Sequence, residues 1–256
     1  MAVTVVPLRA VIMEGLTFLA VTFVVIMLYI RFYQRRKRAA FSLALAFTFW
    51  DLGALSVFIA ALIQFIKQPA SGGASFDYAT IGINFGYAFS ALSNIFIILF
   101  VSQIFYQAPF FRRTQKLLPI INSVLNGITI GMVINTLSTN WLTPEYPIPQ
   151  TVYHLVLTIF SFSLLLFFTI KPLQEATFRW EKVGFGLIMS SAISGILIYL
   201  SFALDIIFPD ILGIFVGGYS PFNTLGWVFG ILMCVLAYYG YVMPKFLRNM
   251  FREQVN

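Results

Sequence analysis

Seven apolar runs, each long enough to cross a bilayer as a helix, constrain this chain more than any other feature. A hydrocarbon core of about 30 Å takes roughly 20 helical residues. Runs of at least that length fall at about 8–31, 39–66, 79–106, 117–139, 151–170, 183–208 and 222–243. In lipid, backbone N–H and C=O groups must be satisfied by the chain itself, so segments of this kind fold as helices. The expected fold class is all-α, a seven-transmembrane-helix bundle forming a single domain over residues 1–256. The joints are about a dozen residues at most, too short for a soluble domain, so any output domain is expected on another polypeptide.

Charge alternates from joint to joint. Arg31, Arg35, Arg36, Lys37 and Arg38 fall in the first joint, and Arg112, Arg113 and Lys116 in the third. Lys171, Arg179 and Lys182 follow in the fifth, and Lys245, Arg248 and Arg252 in the tail. Of the basic residues, Arg9 and Lys67 alone lie on the other side. The Lys/Arg bias sets orientation, so the N-terminus is expected outside and the C-terminus in the cytoplasm of a cell-membrane protein. This asymmetry accounts for the net charge of +7 without a nucleic-acid partner. It also suits the anionic headgroups of a lipid bilayer, at about 1 kcal/mol per residue near the surface. Trp141, Trp180, Tyr238, Tyr239 and Tyr241 fit interfacial anchors. The opening "MAVTVVPLRA" has no basic n-region, and Glu14 interrupts the first run, so a cleaved signal peptide is not expected. The prolines, among them Pro7, Pro119, Pro172, Pro209, Pro221 and Pro244, lie at run ends or in joints. The spans are therefore expected to be continuous, which disfavours broken helices around a transported ion.

Residues three or four apart share a helix face, and several faces carry polar groups. The sixth run has Gly186, Ser190, Ser194, Ser201 and Asp205; the third has Asn84, Tyr87, Ala91 and Asn94. The fourth has Asn122, Asn126 and Thr129, the fifth His154, Thr158 and Ser161, and the first Glu14 and Thr17. Small residues on such faces permit close helix packing, as Gly226 and Gly230 in "GWVFG" do on the seventh. Ionisable residues are different, because a charge inside a bilayer is costly and marks a functional candidate. Asp51, inside "FTFWDLGAL", lies about 18 Å along its helix at 1.5 Å per residue, near the midplane. It is either a neutral interhelical donor or a proton or ion switch shared with Asn94 or Asn126. Glu14, His154 and Asp205 lie within about two turns of the outer ends of their spans. With Asn84, Tyr87 and Asn135 they form a candidate outward-facing ligand layer, of the kind bundles build from a few convergent polar groups.

Much chemistry is excluded. The lone cysteine, Cys234, rules out an internal disulfide or a multi-cysteine metal site, and the lone histidine rules out an HExxH zinc site. No GxSxG, P-loop or GxGxxG occurs, so an enzyme is not expected and no cofactor is implied. The last run, "FNTLGWVFGILMCVLAYYGYVM", has no lysine to carry a retinal, and neither NPxxY nor DRY is present at the receptor positions.

The basic cluster followed by "FSLALAFTFWDLGAL", centred on Trp50, resembles the seven-helix sensor modules that precede histidine kinases in prokaryotic membranes. The ending "YYGYVMPKFLRNMF" looks like uncharacterised archaeal seven-helix membrane proteins. No kinase domain is expected after Arg252, in departure from those sensors. The leading expectation is a receptor-like sensor that binds a small ligand in the outward layer and signals to a separate cytoplasmic or membrane protein partner. A carrier of protons, ions or a small solute using Asp51, and a structural subunit of a membrane assembly, are the alternatives.

Overall fold

Each apolar run forms one helix in the computed structural model, which describes residues 5–67, 76–114, 117–139, 148–212 and 219–251. The long helices are α1 (Leu8–Arg35), α2 (Arg38–Lys67), α3 (Tyr78–Ile104), α5 (Leu117–Thr139), α6 (Ile148–Glu175), α7 (Arg179–Leu212) and α8 (Pro221–Val242). Two short helices, α4 (Pro109–Thr114) and α9 (Lys245–Met250), lie at one end. No strand occurs among the described residues. All seven long helices are long and apolar enough to cross a membrane.

Sequence neighbours pack side by side, α1 closes the ring against α8, and α3 reaches across to α6. One end of the bundle gathers the α1–α2 and α6–α7 joints, α4 and α9, and with them most of the Lys and Arg residues. It is called here the basic end. The opposite end, where α1, α3, α6 and α8 begin, is the acidic end. Its Asp77 caps α3, accepting from the backbone N–H of Thr80 at 3.0 Å. Ser220 caps α8, accepting from the N–H of Phe222 at 3.2 Å.

Several helices, α1, α2, α6 and α7, run past the apolar runs that announce them. α1 ends only at Arg36, whose left-handed backbone (φ 52) lets its N–H reach the carbonyl of Phe32 at 2.7 Å. The Arg36 guanidinium lies over the Tyr33 ring at 5.2 Å. α6 continues through Pro172 to Glu175, which corrects the expectation that this proline lies in a joint. Proline forfeits one backbone bond, and three residues from the helix end that loss falls where water is close. The N–H of Ala176 still bonds the Pro172 carbonyl at 3.0 Å.

The surface is more apolar than much of the interior. Along the middle of α1, residues 12–30, the exposed positions are Ile12, Leu16, Leu19, Phe23, Ile26 and Ile30, while Glu14 and Thr17 are buried. That inversion is what a lipid solvent selects, since polar groups find partners only inside. The main apolar core packs around Trp50, which fills the space left by Gly230; a Cβ there would come within 2.5 Å of the indole. Gly226 admits Phe202 in the same way. A void of about 20 Å³ among Phe47, Phe100, Phe162, Ile188 and Ala237 holds one water at most.

Candidate functional site

Four helices enter from the acidic end, and each carries a buried polar residue six positions past its first residue. These are Glu14 after Leu8, Asn84 after Tyr78, His154 after Ile148 and Trp227 after Pro221. At 1.5 Å per residue each lies about 9 Å along its own helix, but the helices begin at different heights, and His154 meets Ser90, six residues beyond Asn84 on α3. All four are buried: Glu14 at 1%, Asn84 and His154 at 0%, and Trp227 at 6% exposure. Each also has atoms without a hydrogen-bond partner among the described residues, namely both carboxyl oxygens of Glu14, Asn84 Oδ1, His154 Nδ1 and Trp227 Nε1. Unpaired polar atoms away from water cost about 1–3 kcal/mol apiece, so these five are costly to the fold.

Aromatic rings link two of these residues, His154 and Trp227. His154 stands edge-on to Tyr87 at 5.8 Å and to Tyr199 at 5.4 Å. Trp227 meets Trp50 at 6.2 Å and Phe202 at 5.3 Å. The Tyr199 hydroxyl lies within reach of Trp50, which joins the two groups.

Above the layer the acidic end is closed by a small apolar cluster of Val6, Ala10, Val11, Ala61 and Ala79, with Tyr219 packed against it. Arg9 donates to the Tyr219 carbonyl at 2.7 Å. Burial, with the carboxyl groups of Glu14, Asp77 and Asp205 around it, pushes the Tyr219 phenol well above its ordinary pKa, so it stays neutral. Asp205 belongs to this closure. It accepts from the backbone N–H of Ser220 at 2.7 Å and from Asn223 Nδ2 at 3.5 Å, tying α7 to the start of α8.

Below the layer runs a file of hydrogen bonds. His154 Nε2 pairs with Ser90 Oγ at 2.8 Å and Thr158 Oγ1 at 3.3 Å, and Ser90 pairs with the Tyr199 hydroxyl. Asn94 Nδ2 donates to Thr158 Oγ1 at 3.5 Å and to Asn126 Oδ1 at 3.3 Å. Asn126 Nδ2 donates to Asn122 Oδ1 at 3.1 Å, and Asn122 Nδ2 returns to the Asn94 carbonyl at 3.2 Å. The file joins α3, α5, α6 and α7.

Asn94 and Asn126 thus meet, but among the described residues no hydrogen bond joins either to Asp51. Asp51 sits half-buried in the α1–α2 seam, where Thr22 Oγ1 donates to its Oδ2 at 2.8 Å. Its Oδ1 has no partner among the described residues.

Two expected positions face away from the bundle. Asn135 is exposed, its α5 neighbours Val133 and Leu137 taking the buried side, so it leaves the layer. Ser190 is also exposed; its neighbour Ser191 makes the interhelical bond instead, donating to the Met233 carbonyl of α8 at 2.8 Å. Trp141 lies outside the described residues. Sequence reasoning passed over Trp227, Tyr199 and Ser90. Trp227 was hidden between Gly226 and Gly230, and Ser90 beside Ala91, the residue on the four-residue spacing.

Comparison with family models, curated proteins and solved structures found no match to this chain.

Proposed function

We propose that this chain is a receptor-like membrane sensor, oriented with its acidic end outside. It binds a small ligand in the layer of Glu14, Asn84, Tyr87, His154 and Trp227, with Asp205 in the closure above. Binding shifts the helices, and the shift passes through the basic end to a separate partner. The observation that carries this reading is the set of unpartnered buried polar atoms in the acidic halves of α1, α3, α6 and α8. A ligand that satisfied them would recover the cost of their desolvation. It would also draw together helices that the file below connects to α5 and α7, and coupling needs such a contiguous two-state element.

A thermal-shift panel of small metabolites, ions and lipids on the purified protein tests the reading. A ligand specific to the folded state at a hundred times its dissociation constant stabilises by about 2.7 kcal/mol. A hit lost on joint replacement of Glu14, His154 and Asp205 supports the layer, and a hit indifferent to them sinks it.

The polar file favours one second reading, a carrier of protons or small solutes along α3, α5 and α6. Sealed proteoliposomes that show no flux would remove it.

A further inference from the structure

A file of uncharged polar groups crosses most of the bundle between α3, α5 and α6, with a branch to α7. At the acidic end it begins on the first turn of α6. There Gln150 pairs with Thr136 of α5, and Thr151 lies within reach of the Tyr87 hydroxyl. Tyr87 stands edge-on to His154, whose Nε2 pairs with Ser90 Oγ at 2.8 Å and Thr158 Oγ1 at 3.3 Å. Asn94 bonds both Thr158 and Asn126, and Asn126 bonds Asn122. Asn122 lies about 7.5 Å from the basic start of α5, at 1.5 Å per residue. From Tyr87 to Asn122 every member is buried, at 8% exposure or less.

Interhelical bonding alone does not account for this file, because it keeps unpartnered atoms along its length. Asn84 Oδ1, His154 Nδ1, Asn94 Oδ1 and Thr129 Oγ1 have no hydrogen-bond partner among the described residues. Asn84 precedes Tyr87 by three residues and Thr129 follows Asn126 by three, so each shares the face of a file member. An unsatisfied polar group inside a bilayer is costly, and each such atom is a position for a bridging water. The remaining members can pass a proton on. A hydroxyl both donates and accepts, and a neutral imidazole does so through its two nitrogens. His154 turns one nitrogen to Ser90 and Thr158 and leaves the other free. The titratable rings that face it are Tyr87 of α3 and Tyr199 of α7.

Width and charge decide the cargo. Bonds of 2.8–3.5 Å between successive members leave no passage for a solute. The file has no carboxylate, and no three Asp, Glu, His or Cys side chains among the described residues gather to hold a metal ion.

We propose that this file is a proton path, with His154 as its relay. The inference rests on the second reading above, a carrier along α3, α5 and α6, and names its cargo. A proton accepted at one ring nitrogen is matched by the proton leaving the other. The ring ends neutral with its tautomer exchanged, and a flip of the ring resets it. Water carries the proton past the asparagines, whose amides hold water but do not ionise.

The full chain in sealed proteoliposomes enclosing a pH-sensitive dye tests it, driven by a potassium gradient and valinomycin. Proton influx above that of protein-free vesicles is expected, while urea and glycerol should enter no faster. His154→Gln keeps a hydrogen-bonding group for Ser90 but exchanges no proton. It is expected to lower the flux by about 100-fold or more, the scale on which a positioned imidazole speeds proton transfer. Thr158→Val keeps the shape, removes the hydroxyl between His154 and Asn94, and should lower the flux as well. Ser191→Ala breaks an interhelical bond outside the file, and should leave the flux unchanged. Proton flux unchanged in His154→Gln overturns the proposal. An equal loss in Ser191→Ala also overturns it, since the effect would then be one of packing. If urea or glycerol crosses and protons do not, the proton cargo falls while the carrier reading stands. If nothing crosses, both fall.

Discussion

Single residues decide how closely these helices approach, and the glycines give the sharpest test. A Cβ at Gly230 would meet Trp50 at 2.5 Å, whereas at Gly127 and Gly131 nothing lies within 4 Å. Gly230→Ala should therefore cost about 1–3 kcal/mol of unfolding free energy, the usual penalty for overpacking. Gly127→Ala should be neutral or stabilising by up to about 1 kcal/mol, because alanine is the better helix former. Denaturant titration in mixed micelles measures both. Asp51 supplies a second contrast, because Thr22 donates to it and asparagine keeps an oxygen for that bond. Asp51→Asn should stay within about 0.5 kcal/mol of the native protein, while Thr22→Val should cost about 0.6 kcal/mol or more. If Asp51→Asn changes ion or pH dependence without changing stability, the acid is a switch rather than a structural acceptor. The sequence revealed that Glu14, Asn84 and His154 are unusual, because polar residues stand out in apolar runs. It misplaced Asn135 for a geometric reason. Nine residues beyond Asn126 is two and a half turns at 3.6 residues per turn, which is the opposite face of the same helix.

Elements show a similar mixture. All seven spans were legible, since unbroken apolar length is a stronger signal than any motif. Their ends were not, because helices continue into the headgroup region on Arg35 or Glu175, where polar residues no longer mark an end. The stripe on α7 drifted for another reason. Successive steps of four residues advance 40° beyond a full turn, so Gly186, Ser190 and Ser194 do not share one azimuth. The buried face of α7 runs through Gly184, Ile188, Ser191, Ala192 and Gly195 and keeps Ser194, Ser201 and Asp205 of the expected stripe, leaving Ser190 outside. Ser191→Ala should thus cost about 0.6 kcal/mol, the typical value of an interhelical bond in a membrane, and Ser190→Ala nothing measurable. Equal effects in a denaturant series would contradict this register. The α8–α9 joint is a further element-scale device. Met243 adopts φ 44, a left-handed conformation that costs a side chain roughly 1 kcal/mol. A β-branched residue tolerates that region least, so Met243→Val should lower the melting temperature more than Met243→Gly does.

At the scale of the whole molecule, the distribution of charge carries the argument. The seven helices expose apolar side chains along their length and bury Glu14, Asn84, Asn126 and His154, an arrangement that is stable only where the surroundings are hydrocarbon. The two ends differ in sign, and on the Lys/Arg rule the proposed sensor is expected with its ligand site outside and its basic joints toward the cytoplasmic leaflet. The chain offers a clean way to check the direction, because its one cysteine, Cys234, is fully buried. The native protein in intact cells should resist a membrane-impermeant maleimide. Arg9→Cys places a thiol at the exposed start of α1, and should label from outside without permeabilisation. Arg248→Cys, exposed on α9, should label only once the membrane is opened. The reverse pattern would turn the molecule over and make the proposed ligand site a cytoplasmic one, with its partner surface outside. Labelling of both variants in sealed cells would mean a mixed orientation, which the strong Lys/Arg bias of the joints argues against.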